Sequence, residues 1–231
     1  MTAELTVGVL LILLPIAFNA LFFDLARTFE YPDILRQEPG AILTRFHDGG
    51  TALLLRWWGF ALVALAFVPI GVAVPVVLAP GTPVTSVVAA LGIAAGLVQV
   101  IGLIRWPFLV PELARRYVDP ATTPQARETV ELIFSSVHRL LGVGIGEHLG
   151  YLLTGLWSAG LSLAIAVSPA GFVPGWLAVP GVIVGVALMV GSLEFVGPNE
   201  STGWSVAEKL VPIAYVGWSA WLIILGIFAI L

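Results

Sequence analysis

Residues 140–167 read LLGVGIGEHLGYLLTGLWSAGLSLAIAV, an almost wholly apolar run with Gly146-Glu147-His148 set inside it. A helix that crosses a bilayer needs about 20 predominantly apolar residues. This run is long enough, so its reading as a membrane span decides the fold class. It also strands an ionisable pair where charge is costly: a carboxylate near the bilayer centre costs roughly 2.5–3.5 kcal/mol on insertion scales. A partner, a proton or a ligand has to offset that cost.

Five more stretches of the same character lie outward from it, at roughly 5–23, 51–79, 84–108, 173–196 and 205–231. The expectation is an all-α polytopic bundle of six helices, with residues 1–231 forming a single integral membrane domain. Composition agrees. The 231 residues are 59% hydrophobic and 10% charged, with a mean hydropathy of +1.03, whereas a soluble domain carries about 25% charged residues. So few charges would not cover the surface of a soluble fold of this size. With no cysteine in the chain, disulfides, thiolate catalysis and cysteine-held zinc or iron–sulfur centres are excluded. The net charge of -4 is too small to name a partner. No basic run points to nucleic acid, and no polybasic cluster to anionic lipid.

Charge placement predicts topology. The connections at 80–83 and 168–171 are short and uncharged, whereas 24–50, 109–139 and 197–203 hold nearly all the polar chemistry. Arg27, Arg36, Arg45, Arg56, Arg105, Arg115, Arg116, Arg127, Arg139 and Lys209 are all ten basic residues, and each lies in or beside those charged connections. The positive-inside rule then puts the charged connections in the cytoplasm and both termini outside. An odd number of crossings would spoil the segregation. The first span has no basic leader and no clear cleavage site, so it reads as a retained helix.

Two shorter helices are expected among the charged connections. Thr123 and Pro124 supply an N-cap and a first helical residue, and Val130, Ile133, Phe134, Val137, Leu140 and Leu141 then recur at helical spacing. This predicts an interfacial helix over about 124–139 that feeds the fourth span. Pro39, Ile42, Leu43 and Phe46 predict another, stopped at Gly49-Gly50.

Lipid removes most of the hydrophobic drive for helix association, so close packing of small residues matters. Gly142, Gly146 and Gly150 stand four apart, as do Gly92 and Gly96, and Gly181 and Gly185. Such faces suit contact with another helix of the chain, or a homo-oligomer seam within the lipid bilayer. Pro15, Pro69 and Pro212 fall inside spans, where each removes a backbone donor and can kink its helix.

The candidate site gathers around Glu147. Helical offsets of four, seven and eleven place Tyr151, Thr154 and Ser158 on its face. His148 points about 100° away and need not touch it. Arg105, with Trp106-Pro107 after it, and Glu194 lie near the cytoplasmic ends of their spans, as does Arg56 with Trp57 and Trp58. Glu194 is short and poor at reaching the interface, so an ion pair with Arg105 or Arg56 is expected; snorkelling suits Arg56. Asn19 and Gln99 are buried amides that either reach the same cavity or cross-link helices. The candidate ligand-binding set is therefore Glu147, His148, Tyr151, Thr154, Arg105, Glu194, Asn19 and Gln99, with Glu147 and His148 the candidates for any catalysis. No zinc spacing is present. A haem on His148 is the weakest option: His47 falls in a loop and His138 lies about 15 Å along the same helix. That leaves Met189 or a second chain to supply the other ligand.

The run Tyr31-Pro32-Asp33-Ile34-Leu35-Arg36, then Arg105-Trp106-Pro107-Phe108, Gly146-Glu147-His148 and Gly217-Trp218-Ser219 together resemble a family of uncharacterised bacterial multi-pass membrane proteins, a domain of unknown function. The resemblance spans nearly the whole chain. It implies a helical bundle in a bacterial plasma membrane and transfers no reaction.

Three function classes stay open. The first is a bundle binding a small or lipid-like ligand at the buried Glu/His site, with or without proton-transfer chemistry. The second is a proton-coupled carrier, although the two halves show no convincing inverted repeat. The third is a non-catalytic accessory subunit, sensor or haem-binding component. No nucleophile elbow, P-loop or dinucleotide fingerprint decides whether the chain is an enzyme.

Overall fold

Capping threonines and N-terminal prolines start several of the helices. The computed structural model describes residues 2–168 and 172–231, so most of the expected turn at 168–171 lies outside the described residues. Thr2 caps α1 (Ala3–Phe29) by accepting from the Leu5 amide at 3.3 Å. α2 (Pro39–Leu78) starts on its proline and breaks at Gly50, whose φ of 55° and ψ of -152° leave the helical region. The break separates a short arm, which buries Ile42, Leu43 and Phe46, from the long apolar segment after it. The helix expected there and its stop are therefore both present. α3 (Thr85–Leu103) bends through α4 (Arg105–Phe108) into α5 (Val110–Val118). α6 (Pro124–Val137) is capped by Thr123, which accepts from the Ala126 amide at 3.3 Å, as the sequence signature predicts. It runs on through a π-helical stretch (His138–Leu149) into α7 (Gly150–Val167). α8 (Ala178–Gly191) and α9 (Ser205–Ile230) complete the chain. No strand occurs among the described residues.

Five helical segments are long and apolar enough to cross a membrane: 3–29, 39–78, 85–118, 124–167 and 205–230. The stretch expected at 173–196 differs. α8 holds only 14 residues, preceded by a 3-10 turn at Gly175–Leu177. At about 1.5 Å per α residue it covers about 21 Å, and the turn adds about 6 Å. It ends at Gly191 because Ser192 and Glu194 begin a run of turns that leads to Gly197 at φ 65°. Side chains such as Leu13, Leu55, Leu163, Ile183, Ile213 and Val216 stand exposed around the bundle. Apolar cover on that scale is what a hydrocarbon solvent requires and water penalises.

The long helices close into a ring. α1 packs on α2, α2 on α3, α3 on the π-helical stretch and α7, α7 on α8, α8 on α9, and α9 back on α1. Four seams are held by facing glycines. A Cβ on Gly71 would stand 2.8 Å from Gly92 Cα, and one on Gly102 2.6 Å from Gly146 Cα. Gly155 meets Gly185, and Gly8 meets Gly226, with similar closeness. The Gly142–Gly146–Gly150 stripe is thus taken up within the chain, against Arg105, Gly102 and Gln99. Gly8 also lies against Ile230, which brings the two ends of the chain to one end of the bundle.

The ring interior is filled by Phe67, Trp157, Leu161, Trp218, Trp221 and Leu225. Pro75 lacks an N–H, which frees the carbonyl of Gly71 four residues earlier. The Trp157 indole donates to that carbonyl at 3.0 Å. A second core sits toward the charged end. There Trp57 stacks on Trp106 at 4.4 Å, ringed by Phe29, Tyr31, Phe46 and Phe134. Trp57 is fully buried in this core, whereas its neighbour Trp58 is exposed.

Candidate functional site

The charged connections meet at one end of the ring. Arg36 reaches both Glu194 at 3.4 Å and Glu208 at 3.2 Å, and Arg139 holds Glu200 at 2.8 Å. These pairs tie the 31–38 segment and the π-helical stretch to the segment between α8 and α9 and to the first turn of α9. Glu194 accordingly takes Arg36 as its partner, not the expected Arg105 or Arg56. Arg56 does not snorkel unpaired either; it binds Asp24 at 2.6 Å across the α1–α2 seam.

Behind these pairs lies a half-open cavity of about 160 Å³. It runs between the π-helical stretch and the end of α8, and its walls include Arg139, Gly144, Glu147, His148, Tyr151, Ser192, Glu194 and Phe195. The sequence-derived pair thus shares one cavity, despite the 100° separation expected of an α-helix. Twelve consecutive residues are π-helical here, which changes the angular step. π-Helical turns are rare, and single-turn π-bulges are frequent at functional sites.

Glu147 is half-buried, and its surface forms part of the cavity wall. Among the described residues its carboxylate has no hydrogen-bond or ion-pair partner, although Arg105, Glu194, Arg36 and Arg139 lie within electrostatic reach. His148 Nδ1 contacts the carbonyl oxygen of Ser192 at 2.7 Å. A carbonyl only accepts, so Nδ1 carries the hydrogen and Nε2 of the neutral ring keeps its lone pair. Ser192 is buried, and its hydroxyl donates to the Met189 carbonyl at 2.7 Å. Tyr151 packs edge-on to Tyr215 at 5.5 Å.

The remaining predicted residues divide. Thr154 and Ser158 do not continue the cavity wall. Both are fully buried; Thr154 accepts from Gln99 at 3.1 Å, and Ser158 accepts from Trp218 at 2.9 Å. Asn19 bridges the Pro15 carbonyl at 2.7 Å and Ser219 at 2.9 Å, linking α1 to α9. Arg105 lies on the α3 side of the π-helical stretch. It is 6% exposed, donates to the Gly102 carbonyl, contacts His138 Nδ1 at 3.2 Å and covers the Trp106 ring. His138 also stacks on Phe134. His47 is helical, on the α2 arm beside Asp48, not in a loop.

Several neighbours were not legible in the sequence. Tyr31 and Tyr215 both lie within electrostatic reach of Glu147. Burial holds the Tyr31 phenol above its usual range, and the negative charge of Glu147 adds to this. Arg139, Gly144 and Phe195 complete the wall. The carbonyl of Ser192 is a backbone group and leaves no side-chain signal. Among the described residues no three of His, Asp and Glu converge as a metal site.

A family model described as a domain of unknown function (DUF4386) matches residues 6–226, and the chain belongs to that family. No curated protein and no solved structure matches it.

Proposed function

We propose that this chain is a multi-pass protein of a bacterial plasma membrane that binds a small or lipid-like ligand in the Glu147–His148 cavity. Five long apolar helices and the exposed apolar belt support membrane residence. With α8 as a sixth, shorter crossing, all charged connections share the cytoplasmic side and both termini lie outside.

The observation that carries the binding reading is the bare Glu147 carboxylate in the cavity wall. An intramembrane ionisable group without a protein partner calls for a ligand or a proton to meet it. His148, oriented through Ser192, adds a fixed acceptor beside it. Arg139 and Glu194, each held in an ion pair of the charged end, line the cavity. The chemistry available is recognition and proton exchange at Glu147 and His148.

Gly144 offers a direct test. A Cβ there meets only the Arg139 carbonyl at 3.6 Å, an ordinary contact. Gly144→Leu should therefore keep the fold while filling the cavity. Native mass spectrometry of detergent-purified protein should show a bound small molecule or lipid that both Gly144→Leu and Glu147→Gln release. Retention of the same mass in both variants would remove the cavity as the site.

A further inference from the structure

We propose that the group recognised in this cavity is a primary ammonium, presented by a free amine or by an aminophospholipid headgroup. The inference rests on the binding reading above and adds the ligand's chemistry.

It follows from the hydrogen-bond inventory of the wall. An ionised Glu147 only accepts. The Ser192 carbonyl orients His148 so that Nε2 of the neutral ring also accepts. Ser192 has committed its hydroxyl proton to Met189, which leaves it only lone pairs to offer. Tyr151 donates or accepts. The one strong side-chain donor in the wall, Arg139, turns its Nη2 to the Glu200 carbonyl and carboxylate and lies over the Phe195 ring at 5.6 Å. A wall rich in acceptors is matched by a donor-rich guest, and an ammonium carries three donors and no acceptor.

Charge points the same way. Of the charged groups that line the cavity, Glu147 and Glu194 bring two carboxylates against the one guanidinium of Arg139; Arg105 and Arg36 lie within electrostatic reach behind them. The Tyr151 ring adds an aromatic face of the kind that attracts cations. Size is consistent. At about 30 Å³ per water, the cavity of about 160 Å³ takes a methylammonium or an ethanolamine group but not a drug-sized molecule.

The test uses full-length protein purified in detergent. Calorimetric titration with methylammonium, ethanolamine, tetramethylammonium, methanol and acetate should give binding by the two primary ammoniums only. Affinity should fall at least tenfold in Glu147→Gln and in Gly144→Leu. The wild-type ligand series stands even if a variant fails to fold. Nanodiscs of phosphatidylethanolamine, phosphatidylcholine or phosphatidylglycerol separate the two sources. Ethanolamine binding suppressed only in phosphatidylethanolamine assigns the headgroup, and binding equal in all three assigns a free amine; both support the inference. A bound anionic or neutral molecule released by Gly144→Leu would overturn the ammonium inference and keep the cavity reading. No bound molecule in any condition would overturn both.

Discussion

Arg105 packs against the π-helical stretch and Glu147 belongs to it, and their surroundings differ in kind. On the α3 side, Gly142 and Gly146 let Arg105 and Gly102 approach until no space remains. The guanidinium there is buried against a carbonyl, an imidazole and an indole ring. On the other side, Gly144, Glu147 and His148 face a void, and the carboxylate meets no protein group. Both sides are glycine-rich, so small residues alone do not decide the outcome. What differs is what stands opposite: the backbone of α3 in one case, and in the other the turn that ends α8 early. One side is built to hold the bundle together; the other is left unfinished by the protein itself.

The strongest way to break this comparison is to force a side chain into the sealed side. In Gly102→Leu the new Cβ would start 2.6 Å from Gly146 Cα, a backbone atom that cannot swing away. Overpacking of this kind costs about 1–3 kcal/mol and sometimes more. Loss of the monodisperse peak in detergent, or a large drop in melting temperature, is expected. A variant as stable as the parent would show that the seam is loose.

Removing the two charges should move stability in opposite directions. Arg105→Met deletes the donor to the Gly102 carbonyl and the contact to His138. Leaving a buried polar group unsatisfied costs about 1–3 kcal/mol. Glu147→Gln removes a charge with no protein partner, so ligand-free protein should gain stability, by less than the roughly 2.5–3.5 kcal/mol that a central carboxylate costs. Melting temperatures of the two variants, measured after exhaustive detergent exchange, should straddle the parent. Shifts of the same sign would mean that Glu147 is as structurally engaged as Arg105.

The sequence exposed the features that depend on type and local spacing. Hydropathy marked five of the six expected spans, the Thr123-Pro124 signature marked the start of α6, and Gly49-Gly50 marked the break in α2. Glu147 and His148 stood out because charge is rare in apolar runs. Three things were not legible. α8 is shorter than its apolar run because Ser192 turns the chain, and hydropathy does not report turns. The π-helical step is a backbone property of 138–149 that residue type does not report; Tyr151, Thr154 and Ser158 do share a side, toward Tyr215 and Trp218 of α9, but Thr154 and Ser158 are sealed there by packing and hydrogen bonds. The pairing of Glu194 with Arg36 depends on tertiary placement of the 31–38 segment, and several arginines suited it equally on charge alone.

A subtler probe lies within the sealed ring, where Pro75 and Trp157 act as a pair. Trp157→Phe keeps an aromatic ring but removes the N–H that satisfies the Gly71 carbonyl. The expected loss is about 1 kcal/mol, toward the lower side in a membrane, where such bonds average about 0.6 kcal/mol. Pro75→Ala restores a backbone N–H at the position that would normally serve Gly71. The double variant should therefore lose less than the two single changes added together. Strict additivity would mean that the indole bond is incidental to the missing proline donor.

The smallest effect separates the two sides within five residues of chain. Gly142, Gly144 and Gly146 alternate along the π-helical stretch, so they share helix propensity and membrane depth. Gly144→Ala meets only the Arg139 carbonyl at 3.6 Å, whereas Gly142→Ala meets Arg105 Nη2 at 2.6 Å. Replacing glycine in a helix lowers the entropy cost of ordering the backbone by about 0.5–1 kcal/mol. Gly144→Ala should keep that gain and melt slightly higher than the parent. Gly142→Ala should lose it to the displaced guanidinium and melt lower. Because propensity is common to both, the difference between the two melting temperatures reports the neighbours alone. An inverted order would place the void on the α3 side and the close packing beside Glu147, the reverse of the arrangement on which the ligand argument stands.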